Sequence, residues 1–187
     1  ADACGGQLLP SLWSAFAVAG LAGAKLPPLA VAALTLWAAM LGLRGILSHQ
    51  LADLANDKRS GADTLATRLG EARVQGLVLH WLFPLELVGW LGVYAVVGSA
   101  PAVVIGVGVL ILEEGLARRN GRGGAPLVRT SKARLPVLFR YAFTGLPLSM
   151  AIALAPAAGW WVLLILLLKF LAFPGSWGWR WQSLLAR

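Results

Sequence analysis

Stretches of about twenty residues rich in Leu, Ala, Val, Gly and Trp recur along this chain and restrict its possible folds more than any other feature. A helix needs about 20 mostly apolar residues to cross the hydrocarbon of a bilayer. Six segments come near that length: residues 8–24, 26–48, 74–97, 102–116, 135–154 and 159–173. Only Lys25, Pro27 and Pro28 part the first two, Pro84 interrupts the third, and the sixth is short and carries Lys169. With 58% apolar and 13% charged residues, the chain groups with integral membrane proteins rather than with soluble domains. The expected fold is all-α: one polytopic transmembrane helix bundle of about six spans over residues 1–187.

The formal charge of +8 is a topology signal. Arg44 near the end of the second segment and Lys58, Arg59, Arg68 and Arg73 after it cluster before the third, and Arg118, Arg119, Arg122, Arg129, Lys132 and Arg134 follow the fourth, with Arg140 near the start of the fifth. Two spans separate these groups, so both fall on one side, which the positive-inside rule makes cytoplasmic. The expectation is a multi-pass protein of the cell (inner) membrane with two cytoplasmic loops, an acidic one over 49–72 and a basic one over 117–134. The basic residues lie between apolar runs, which argues against a nucleic-acid partner. Trp177, Trp179 and Trp181 read as an interfacial belt. Cys4 is alone, excluding a disulfide framework or a cysteine metal cluster within the chain. The start has neither Met nor a signal-peptide pattern, so a piece of a longer chain is expected.

The one dense knot of charge is Asp53-Leu-Ala-Asn56-Asp57-Lys58-Arg59-Ser-Gly61-Ala-Asp63-Thr64-Leu-Ala-Thr-Arg68-Leu-Gly70. If the second span continues as helix, Asp53 and Asp57 are one turn apart on the same face, flanked by Gln50 and Lys58. Mg²⁺ favours one or two carboxylates plus water and phosphate oxygens, so this pair is a sufficient partial shell for a metal-bound diphosphate. Lys58 and Arg59 would neutralise the anion. Gly61 permits a sharp change of direction, and Asp63 or Thr64 is placed to cap a short helix from Leu65 to Leu69 that Gly70 closes, forming a small lid. For an arbitrary Asp pair the simpler reading is a solvated face balanced by its basic neighbours; the remaining spacing argues for more.

Asp-x3-Asp-x3-Gly followed by x2-Thr-Leu-Ala-x3-Leu-Gly resembles the second aspartate-rich motif of the UbiA superfamily of intramembrane prenyltransferases. That resemblance implies the second half of an all-helical bundle of nine spans, with Mg²⁺ as cofactor and a prenyl diphosphate and a lipophilic acceptor, such as an aromatic ring, as partners within the lipid bilayer. It implies Asp53 and Asp57 as metal-diphosphate ligands, Lys58 and Arg59 as diphosphate partners, and Gly61, Thr64 and Gly70 as shapers of the loop; Gln50, Asn56 and Arg44, near the acidic pair, are further candidates for binding substrate. The family's first motif, of the Asn-Asp-x2-Asp type, has no counterpart here, since Glu113 and Glu114 are adjacent and diverge by about 100° on a helix. The expectation is an N-terminally truncated relative that supplies half of a metal site.

Other residues admit two readings. Glu86, an intramembrane carboxylate, is a functional candidate by default, a protonated group hydrogen-bonded to a neighbouring helix, or a residue near the outer interface. His80 is either a base reaching a cavity or a structural hydrogen-bonding group. Arg44 either holds a phosphate through its bidentate donors or snorkels to the headgroups. His49 precedes the acidic pair on the same helix, Glu114 and Arg118 form an i,i+4 pair, and Tyr141 and Thr144 are candidates to line a pocket. The Gly-rich stretch 120–126 lacks the Lys-Ser/Thr ending of a phosphate-binding loop. A CDP-alcohol phosphotransferase would place Asp-Gly and Ala-Arg before further acids, an order absent here. The other rival is a non-enzymatic polytopic membrane protein, such as a transporter piece or an inactive relative.

Overall fold

The computed structural model describes residues 25–97 and 100–119, and a few isolated positions (9, 12, 15, 16, 149, 151, 159, 164 and 167). Its regular elements, all helical among the described residues, are α1 (Pro28–Ser60), α2 (Leu65–Leu69), α3 (Glu71–Leu77), a π-helical segment (Val78–Leu82), α4 (Phe83–Val97) and α5 (Ala100–Arg119). The first four helices belong to one compact unit and α5 to another. The expected first, fifth and sixth spans, and the basic loop beyond Arg119, lie outside the described residues.

Among the described residues, two helices are long and apolar enough to cross a membrane: Pro28–Ser60, and the continuous run Glu71–Val96 through α3, the π-helical segment and α4. The first is 33 residues long. At 1.5 Å per residue that is roughly 50 Å, well beyond the roughly 30 Å of bilayer hydrocarbon. Expected to end near Ser48, the span instead continues as helix through the acidic pair to Ser60. The segment 49–72 is therefore mostly helix, not loop, with only Gly61 to Thr64 and Gly70 outside helical elements.

Pro28 stands in the first turn of α1, where a missing N–H costs nothing, and the Pro27 carbonyl accepts from Ala30 and Val31 at 2.9 and 3.2 Å. The buried positions of α1 include Leu41, Arg44, Leu47, Ser48 and Leu51, recurring at the three- and four-residue spacing of one helical face. Lower on that face, Leu47 and Leu51 join Ala66, Val74 and Val78 in an apolar cluster, which seats α2 and α3 against the end of α1. Higher up, α4 packs against α1.

The α1–α4 approach is set by two glycines. A Cβ on Gly89 would come within 2.5 Å of the Trp37 backbone nitrogen and 2.8 Å of its Cα, and one on Gly92 within 2.9 Å of the Ala33 Cβ. Only residues without a side chain let the backbones meet this closely, as at small-residue seams between membrane helices. Pro84 explains the π-helical segment before it: proline donates no N–H and its ring clashes with the carbonyl four residues back. The helix widens there, and the Phe83 N–H bonds the Val78 carbonyl five residues earlier. The outward side of this helix is apolar, with Leu79, Trp81, Leu85, Val88 and Leu91 exposed, as suits a lipid surrounding.

Gly89→Ala is expected to destabilise the unit by roughly 1–3 kcal/mol through overpacking against backbone that cannot yield. Gly76→Ala meets nothing within 4 Å and should gain up to about 1 kcal/mol of helix propensity. Thermal unfolding of the two variants in detergent micelles should move in opposite directions.

Candidate functional site

The site occupies the overhanging end of α1 and the turn that follows. Because α1 runs unbroken through Asp53 and Asp57, the two carboxylates lie one turn apart on one face; Asp53 is exposed and Asp57 half-buried. Asp57 stands in the last turn, where the negative end of the helix dipole disfavours a carboxylate and favours a cation. Lys58 and Arg59 also stand there, exposed and with the dipole in their favour. Asn56 is exposed next to them.

Gly61 ends α1 in the left-handed region, with φ of 73° and ψ of 19°. This lets the Ala62 N–H turn back to the Asp57 carbonyl at 2.9 Å, a closure a side chain at Gly61 would strain. The chain then enters α2 through Thr64. The Thr64 hydroxyl oxygen accepts from the Thr67 N–H at 3.2 Å, and the Thr67 hydroxyl oxygen accepts from the Thr64 N–H at 2.9 Å, a reciprocal capping box. Thr67 also donates to the Thr64 carbonyl at 2.8 Å. Of the two expected caps, Thr64 is the one used, and its hydroxyl lies 3.5 Å from Asp57 Oδ2. Gly70, at φ 78°, ends α2 and begins α3, accepting from Val74 at 3.2 Å.

Asp63 takes a different part. Its carboxylate receives a two-pronged hydrogen bond from Arg68, on the exposed surface. The Arg68 hydrogen bond holds the Asp63 carboxyl below its ordinary value of 3.8, and Asp63 in turn raises the Arg68 guanidinium.

Two sequence-assigned substrate residues have other structural partners. The Gln50 side-chain oxygen accepts from the Ala66 N–H at 3.3 Å, so this residue ties α2 to α1. Arg44 neither snorkels nor faces a phosphate: it is 0% exposed, and donates through Nε and Nη2 to Glu86 Oε2 and Oε1 at 2.6 and 2.7 Å. The physical reason is the apolar face on which Arg44 sits, where a guanidinium persists only beside a matched carboxylate. Glu86 is thus held by a neighbouring helix, as one of its readings had it, with a cation as its partner. An isolated Arg and an isolated Glu in consecutive apolar runs were the sequence signal for this pair. His80 is exposed on the π-helical segment while Glu86 is buried, so the two do not share a direction. His49 is exposed. The side chains of Glu113, Glu114 and Arg118, and all of Tyr141 and Thr144, lie outside the described residues.

Among the described residues no group of three or more His, Cys, Asp or Glu side chains converges as a metal cage. Asp53 and Asp57 place two carboxylates one helical turn apart. That donor set suits a hard cation that keeps water and takes phosphate oxygens, the habit of Mg²⁺. Comparison of the chain with protein-family models, with characterised proteins and with solved structures finds no match.

The Asp63 carboxyl should titrate below 3.8, and Arg68→Ala should return it toward that value, read by carbon-detected NMR of the side-chain carboxyls. Folding lowers this pKa, so the contribution of the pair is present above the unfolded value and is lost as pH falls through the folded one. Both groups are fully exposed, which keeps that contribution small.

Proposed function

We propose that this chain is part of a Mg²⁺-dependent intramembrane prenyltransferase, which transfers a prenyl group from an isoprenyl diphosphate to an aromatic or other lipophilic acceptor. On this reading it is a multi-pass protein of the cell membrane, with the acidic motif at the cytoplasmic face. The observation that carries the reading is the unbroken helix through Asp53 and Asp57, closed by a left-handed Gly61 and followed by a Thr64-capped helix. Each residue of the motif that resembles the UbiA superfamily then has a physical task at its own position.

Asp53 and Asp57 would hold the metal, which when bound supplies positive charge against the diphosphate leaving group. Lys58 and Arg59, exposed beside them, would neutralise further phosphate oxygens. Gly61 turns the chain away at once, keeping this end of the helix open to a polyanion. The capping box and the Gln50 contact hold α2 against α1 as a rigid wall beside the acids. Apolar helix surfaces next to the site would shelter the isoprenoid tail and keep water from an allylic cation. Arg44 and Gln50, engaged elsewhere, leave the substrate-binding set.

The test is prenyl transfer from a radiolabelled isoprenyl diphosphate by the native protein in membranes. Asp53→Ala and Asp57→Ala should each lower the Mg²⁺-dependent rate by about 100-fold or more, the scale for removing one electrostatic stabiliser of a developing anion. Lys58→Ala should weaken diphosphate binding more than turnover. Undiminished rates in both aspartate variants would remove the enzymatic reading and leave a non-enzymatic membrane protein.

A further inference from the structure

Glu86 lies inside the second apolar helix, fifteen residues after Glu71 and ten before Val96. Its short side chain cannot reach either end, and a lone carboxylate at such a depth is costly in hydrocarbon. Arg44 lies on α1, four residues before the apolar run of that helix ends near Ser48, and is fully buried. The two are 42 residues apart in the chain, so the second helix does not neutralise its own carboxylate. They meet because Gly89 and Gly92 bring the two backbones together on the same seam. The fork of Arg44 then covers both oxygens of Glu86, with side-chain exposures of 0% and 6%.

We infer that the Glu71–Val97 helix is held in the membrane by its pairing with α1, and that Arg44 is the charge partner that makes this possible. The second helix alone carries a carboxylate at mid-span. Packed on α1, both oxygens of that carboxylate accept hydrogen bonds from the Arg44 guanidinium on the inside of the seam. The second helix, made later in synthesis, is therefore completed by the first. This dependence goes beyond the proposed reaction and is independent of it: a transporter piece built on these two helices would need it as much.

The test is sidedness of the full chain in sealed membrane vesicles, probed with a membrane-impermeant maleimide in a Cys4→Ser background. Single reporters Lys25→Cys and Ser60→Cys bracket α1, and Arg73→Cys and Ala100→Cys bracket the second helix. With Arg44 and Glu86 intact, the two reporters of each pair should label from opposite sides. Arg44→Leu should lower the ratio of correctly to wrongly sided or lost chains by about tenfold or more for the reporters of the second helix. The double variant Arg44→Leu/Glu86→Leu should restore the ratio, because it removes both charges and keeps the apolar volume. An Arg44→Leu chain that labels as the parent does would overturn the inference. So would a double variant as depleted as Arg44→Leu alone, since the loss would then belong to packing and not to an unmatched charge.

Discussion

Arg44 and Glu86 hold each other between two apolar helices, and the packing of α1 to α4 is organised around that constraint. A buried ion pair is poor evidence of stability, because removing two charges from water costs about as much as their attraction returns. Its value lies in specificity. An apolar seam of Gly, Ala and Leu tolerates a slip of one helical turn, since similar surfaces then meet again. A two-pronged guanidinium–carboxylate contact does not, because a slip of about 5.4 Å breaks both hydrogen bonds and strands both charges. The glycines at 89 and 92 and the ion pair thus act on the same register: the first permits close approach, the second selects where along the helix it occurs.

The same register governs the polar end. At about 50 Å, α1 is longer than the hydrocarbon of a bilayer is thick, and its last turns carry Asp53, Asp57, Lys58 and Arg59 as a helical post. The post is braced from the side. Leu47 and Leu51 bury against Ala66, Val74 and Val78, and Gln50 takes the Ala66 N–H, so α2 and α3 cannot swing away without exposing that cluster. The π-helical segment lets one continuous helix serve both tasks. Below it Val74 packs in the brace; beyond it Glu86, Gly89 and Gly92 pack in the seam, and the wide turn before Pro84 lies between the two.

Much of the local structure was legible in the residues. Gly61 and Gly70 are the positive-φ stops where turns were expected, one of the two expected caps, Thr64, starts a helix from Leu65 to Leu69, and Pro84 marks the irregular turn of its span. These are short-range matters, set by one residue's allowed dihedrals or by one side chain reaching its own backbone. The ends of the helices were less legible. The run of apolar residues stops near Ser48, yet α1 goes on for three more turns, because Leu51 and Leu54 find partners that arrive only with α2 and α3. Hydropathy registers what lipid covers and is blind to what a neighbouring element covers.

The roles of Arg44 and Gln50 show where sequence reading stops. Both precede the acidic pair at spacings suited to a substrate, and both are taken by other partners. By itself the sequence determined the helical class, the apolar runs behind the two helices of membrane length, and the place and turns of the acidic motif, because periodicity and backbone preference act within a few residues. Only the tertiary structure decided that Arg44 belongs to Glu86, that Gln50 belongs to Ala66, and that Asp63 belongs to Arg68 and not to the cap. Partner choice among charged and polar groups depends on which faces are brought together and how far water is removed from them, and neither is written in the residues on either side.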